Sequence, residues 1–171
     1  MILKNGCEIL DINLAPSGRD KIAWVRNSMP VMKALEKRFL EEKPLAGKTV
    51  TISIHLEAKT AYFAMLLRSA GAKVYVTGCN PLSTQDDVAA ALAAEGFTVN
   101  AIHGVSAEDY TRHLVQSLSC KPDIIVDDGG DLVSLLHDTC PEYAENLIAG
   151  CEETTTGVIR MKARSNAGRL N

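Results

Sequence analysis

Between positions 127 and 131 the chain reads Asp127-Asp128-Gly129-Gly130-Asp131. Carboxylates this close repel one another, and adjacent glycines cost chain entropy. Such a run is expected where the backbone turns sharply to present acids to a ligand. Its oxygens suit magnesium or calcium, but it lacks the longer spacing of a helix-loop-helix calcium site. Acid/base or hydroxyl-binding work is the preferred reading, and no metal is expected. Other short segments also gather reactive groups: His55-Leu56-Glu57-Ala58-Lys59-Thr60, Gly78-Cys79-Asn80, His103-Gly104 and Glu152-Glu153-Thr154-Thr155-Thr156-Gly157. Each has a plain reading beside the chemical one. His55 serves equally as a satisfied structural histidine. Glu57 and Lys59 can be a solvated pair. Cys79 reads as a small buried hydrophobe rather than a nucleophile. His103 has no neighbour to work with, and the three threonines can simply cap a helix.

These segments must be positioned by secondary structure, and the hydrophobic pattern places each at one kind of junction. Two helices are expected near 18–27 and 30–42, with residues 1–17 irregular and Pro16 and Gly18 acting as breakers. From residue 49 short apolar runs alternate with helical ones. Val50, Ile52 and Ile54, then 74–76, 97–102, 123–126 and 147–151, read as strands. Helices are expected near 59–70, 84–95, 107–118, 131–138 and 155–166, with Ser83/Asp86 and Ser106/Asp109 spaced as capping boxes. Alternation of this kind builds βαβ units. The expected fold is α/β: a doubly wound, mostly parallel sheet of about five strands, Rossmann- or flavodoxin-like, preceded by two helices. Strand order is not set by the pattern. In an open parallel sheet ligands bind beyond the carboxyl ends of the strands, which is where each reactive segment falls.

Composition narrows the classes further. The chain has 171 residues, 46% of them hydrophobic, enough for one domain with a real core. Its net charge is −3, and Lys and Arg form no run, so neither nucleic acid nor a membrane surface is an expected partner. No apolar stretch approaches the length of a membrane span. Five cysteines without C-x-x-C spacing argue against a disulfide framework and for a reducing, cytoplasmic setting. No G-x-G-x-x-G, Walker A or G-x-S-x-G motif is present, so the usual dinucleotide cradle is missing.

Four ordered blocks resemble those of the S-adenosyl-L-homocysteine hydrolase family: 55–61, 79–86, 127–132 and 152–158. Earlier segments, Leu14-Ala15, Gly18-Arg19, Ser28-Met29-Pro30-Val31 and Lys43-Pro44-Leu45, agree with it. The resemblance implies a hydrolysis in which NAD oxidises the ribose 3′-hydroxyl, homocysteine is eliminated and water adds. It implies Asp131 and His55 as proton-transfer residues and Glu153 as an acceptor for ribose hydroxyls. Thr154, Thr155 and Thr156 would lie near the nicotinamide end of the cofactor, and Glu57, Lys59 and Thr60 near the nucleobase. Many members have Thr and Glu where this chain has Glu57 and Lys59; the version here resembles the archaeal and thermophilic bacterial branch. Because an ammonium only donates, Lys59 suggests S-inosyl-L-homocysteine as an alternative substrate. The chain is expected to be the N-terminal, substrate-binding part of such an enzyme, without the NAD domain, incomplete and inactive alone, and homo-oligomeric. A non-catalytic binder of nucleoside thioethers, or a regulatory paralogue, is the alternative.

Overall fold

The structure is a computed structural model that describes residues 1–3 and 6–170. Five strands form one sheet: β1 (Thr49–Ser53), β2 (Lys73–Thr77), β3 (Thr98–Asn100), β4 (Ile124–Asp127) and β5 (Ala149–Glu152). Their spatial order is β3-β2-β1-β4-β5, and every neighbouring pair is parallel. β1 is the centre and is covered on both faces, which is why Val50, Thr51, Ile52 and Ser53 are all buried. Of its buried polar residues, Thr51 is satisfied, its hydroxyl donating to the Ser117 carbonyl at 3.0 Å, whereas the Ser53 hydroxyl finds no partner among the described residues.

Among the described residues seven α-helices flank the sheet: α1 (Ala15–Asn27), α2 (Pro30–Glu42), α3 (Ala58–Ser69), α4 (Asp86–Ala94), α5 (Ala107–Leu118), α6 (Asp131–Asp138) and α7 (Thr155–Asn166). α1 packs on α3 and α4. One hydrophobic cluster joins these helices to β1, β2 and β3; a second gathers Leu114 and Leu118 of α5, Ile125 of β4, and Leu132, Val133 and Leu136 of α6. The order reverses between β1 and β4, so β1 and β4 run side by side while their following helices leave in opposite directions. That reversal opens a crevice at their carboxyl ends.

Three expectations are corrected. α1 begins at Ala15, with Pro16 in its first turn, where a missing N–H is harmless. Gly18 is not a breaker: a Cβ there would lie 1.9 Å from the Asp87 carbonyl oxygen, so glycine permits close contact between α1 and α4. α4 begins at Asp86 and takes no side-chain cap, so Ser83/Asp86 is not a capping box. Ser106 does cap α5, accepting from the Asp109 N–H at 3.1 Å. Finally, β3 is only Thr98–Asn100, because beyond it Ala101 donates to Glu8; residue 8 of the supposedly irregular N-terminus bridges Asn100 in parallel and covers that sheet edge.

Candidate functional site

The loop after β1 is shaped by its own side chains. Glu57 is the N-cap of α3, and its Oε1 accepts the N–H groups of Lys59 and Thr60 at 3.0 and 3.3 Å. Thr60 is buried and its hydroxyl donates to the His55 carbonyl at 2.6 Å, which fixes the residue carrying the imidazole. The His55 ring is half exposed, with Nδ1 2.5 Å from Ser83 Oγ. Ser83 Oγ already gives its own proton to the Asn80 carbonyl, at 3.0 Å. The hydroxyl therefore accepts from Nδ1–H, and Nε2 is left to face Asp128 Oδ2 at 3.5 Å. The Cys79 thiol, at the end of β2, donates to the same Oδ2 at 3.2 Å. Burial, reinforced by Asp128, pushes this thiol well above its ordinary pKa, which favours the donating thiol; Cys79 is only part-buried and hydrogen-bonded, not the small buried hydrophobe of the plain reading.

The run from Asp127 to Asp131 does not converge on one point. Asp127 is buried and turns back into the protein, where Oδ2 accepts the N–H groups of Leu132 and Val133 and Oδ1 that of Asp128. Burial raises its pKa to about 7, and the neighbouring Glu152 carboxylate adds to the rise. Asp128 turns toward Cys79 and His55. Gly129 and Gly130 take φ values of 101° and 82°, a left-handed turn that other residues resist. The turn delivers Asp131 to the first position of α6, half exposed on the rim. There the Tyr110 hydroxyl lies 3.0 Å from Oδ2 and 2.8 Å from the Cys79 carbonyl, sharing its proton between them. Arg160 of α7 donates to Oδ1 at 2.9 Å and also to the Gly129 carbonyl. His55 and Asp131 thus lie on one rim, connected through Asp128, Cys79 and Tyr110.

The end of β5 adds a third edge. Glu152 Oε1 collects the Gly129 N–H, the Thr154 N–H and the Thr154 hydroxyl at 2.7, 2.9 and 2.7 Å, while its buried Oε2 has no hydrogen-bond partner among the described residues. Glu153 donates its N–H to the Asp127 carbonyl and is exposed. Thr154 caps α7, accepting from the Gly157 N–H at 3.0 Å, whereas Thr155 and Thr156 are exposed on the first turn. His103 is structural: its ring meets the Thr84 carbonyl and its N–H the Asp86 carboxylate. Sequence reasoning passed over Ser83, Tyr110, Asp127, Asp128, Glu152 and Arg160 as individual partners.

Residues 6–149 match the family described as S-adenosyl-L-homocysteine hydrolase. The chain belongs to that family. Over 163 residues, 95% of this chain, it is 51% identical to an S-inosyl-L-homocysteine hydrolase of Methanocaldococcus jannaschii. It is 48% identical over 91% of its length to an adenosylhomocysteinase of Pyrococcus abyssi, and 50% identical over 90% to one of Thermotoga maritima. The matched regions are 39%, 37% and 38% of those three relatives, so the chain spans about two fifths of their length. No helix among the described residues is long and apolar enough to cross a membrane.

The dinucleotide that the sequence resemblance implies would fit only in part. In a nucleotide-binding fold the first helix after β1 offers its free N–H groups to the pyrophosphate. Here two of those N–H groups already bind the Glu57 carboxylate, and a second anion would meet its charge.

Proposed function

We propose that this chain is the substrate-binding part of an enzyme that reversibly splits S-adenosyl-L-homocysteine, or its inosyl counterpart, into a nucleoside and L-homocysteine. The observation that carries the reading is the continuous rim from His55 through Asp128, Cys79 and Tyr110 to Asp131. It puts two proton-transfer groups on one crevice with each oriented by a partner. Asp131, gripped at both oxygens, is the acid/base facing the ribose. His55, held through Nδ1, moves a proton at Nε2 toward the leaving sulfur. Glu153, exposed beside them, accepts from ribose hydroxyls. NAD, when bound, supplies the oxidation of the ribose hydroxyl. Its cradle lies outside these 171 residues, and the chain offers it the hydroxyls of Thr155 and Thr156. The nucleobase lies against Glu57 and Lys59, with Thr60 setting the loop beneath.

Lys59 is exposed and offers only donors, which suits the oxygen of hypoxanthine better than the amino group of adenine. That favours the inosyl substrate as a second reading, in keeping with the naming of the Methanocaldococcus relative. We place the protein in the cytoplasm as a homo-oligomer. The bare surfaces of Trp24 and Val31, each 72% exposed, are consistent with association.

Calorimetric titration with adenosine and with inosine tests the proposal. The chain is expected to bind a purine nucleoside and to release no thiol from S-adenosyl-L-homocysteine when NAD is added. Lys59→Gln is expected to weaken inosine more than adenosine. Binding of neither nucleoside refutes the substrate role, and a strong adenosine preference unaffected by Lys59→Gln ends the inosyl reading.

A further inference from the structure

Where the rim is tightest, three different ligand types meet. One ligand atom each from His55, Cys79 and Asp128 lies within 4.8 Å of the other two. Cys79 Sγ is 3.2 Å from Asp128 Oδ2, and His55 Nε2 is 3.5 Å from it. A tetrahedral zinc ion, with bonds of about 2.0 Å to N and O and about 2.3 Å to S, holds its ligand pairs roughly 3.3–3.5 Å apart. Two of the three edges already have that spacing, and the third closes by a small turn of the half-exposed imidazole. Ser83 takes the Nδ1 proton, which points the Nε2 lone pair inward, as outer partners of metal-bound histidines do.

We infer that His55, Cys79 and Asp128 form a binding site for a thiophilic divalent cation of the zinc class. The donor set excludes the magnesium or calcium that the acidic run alone suggests, because those ions want oxygen and two of the three ligands are sulfur and nitrogen. Charge also balances. The ion displaces the Cys79 Sγ–H proton to the buffer, and thiolate plus carboxylate then neutralise its two positive charges beside a neutral imidazole. Arg160, also on the rim, is taken up by Asp131 and the Gly129 carbonyl. The site rests on these three side chains alone; with the ion bound, Nε2 of His55 is not free to move a proton, so metal binding and the proposed proton transfer are alternative states.

Cobalt(II) titration of the chain tests this directly, since a thiolate ligand gives a near-ultraviolet charge-transfer band that zinc then displaces. One equivalent is expected. The band should vanish in Cys79→Ser, persist in Cys151→Ser (the exposed cysteine), and require roughly tenfold more metal in Ser83→Ala. Affinity should fall at least as far in Asp128→Asn and His55→Ala. Asp128→Asn decides the matter if Cys79→Ser fails to fold, because among the described residues the Asp128 side chain meets only Cys79 and His55. A band that survives Cys79→Ser, is lost in Cys151→Ser, or is indifferent to both Asp128→Asn and His55→Ala would overturn the site.

Discussion

Replacing Asp127 by Asn should remove a pH dependence from the stability of the fold. The Asp127 pKa rises from an ordinary 3.8 to about 7, chiefly because burial disfavours its charged form, despite three N–H groups that favour it. The folded chain therefore holds a proton that the unfolded chain releases near pH 4. Stability from this group is complete below about pH 4 and is lost as pH rises through 7. About three pH units at 1.36 kcal/mol each make the loss about 4 kcal/mol by pH 8. Asparagine resembles the protonated acid in charge: its oxygen can still accept from Leu132 and Val133, while its amide NH2 cannot accept the Asp128 N–H, a cost that does not change with pH. The variant should gain on the parent by about 4 kcal/mol between pH 3 and pH 8, of which about 2.5 kcal/mol accrues between pH 5 and pH 8. His113 works in the opposite sense, since burial lowers its pKa and stability recovers as pH rises past the range where the unfolded histidine is protonated. That contribution is common to both chains and cancels in the difference. Urea unfolding of both between pH 5 and 8 gives the comparison. A constant difference across that range would refute the reasoning and mean that the N–H cap compensates fully for burial.

Two further substitutions probe the neighbouring supports. Gly157→Ala places a Cβ 2.2 Å from the Glu152 carboxylate and must push it off the Gly129 and Thr154 donors; a loss of about 1–3 kcal/mol is expected, and an unchanged thermal melt would show that the carboxylate moves freely. Tyr110→Phe removes the hydroxyl that joins Asp131 to Cys79; about 1 kcal/mol should be lost in urea unfolding, with far-ultraviolet circular dichroism unaltered, and no loss would mean that water replaces the bond.

Most of the architecture was legible because α/β folds write their period into the chain. The β-branched run from Val50 to Ile54 and the helices closed by Gly71 and Gly96 fall where the pattern puts them, within a residue or two. Strand order was not legible, because any order buries the same apolar runs. The errors have local causes. Pro16 and Gly18 carry the same letters as a turn, and only the approach of α4 shows that Gly18 is a contact. Ser83 has the spacing of a cap but is claimed by His55, 28 positions earlier. At the site, the clusters His55, Asp131 and Glu153 announce themselves by type. Tyr110 and Arg160 do not, since each is an ordinary helix residue whose role arises from where α5 and α7 land. Asp127 was visible as one of three acids, but its inward turn depends on the two glycines after it and on free N–H groups at the start of α6.

Those inward-turned acids explain a mismatch between topology and chemistry. The order β3-β2-β1-β4-β5 creates the crevice at which related sheets bind nucleotides through phosphate, and phosphate binding there depends on unpaired N–H groups at helix N-termini. In this chain the rim is occupied from within. Glu57 takes two N–H groups of α3, Asp127 takes two of α6, and Glu152 takes those of Gly129 and Thr154 in the turns beside α6 and α7. A pyrophosphate arriving here would meet carboxylates where it needs donors. A neutral ribose or a cation meets acceptors where it needs them. The crevice is thereby converted from an anion site into one for hydroxyl groups and positive charge. Such a rim would suit the proposed nucleoside substrate, which carries no phosphate, and the proposed cation at His55, Cys79 and Asp128.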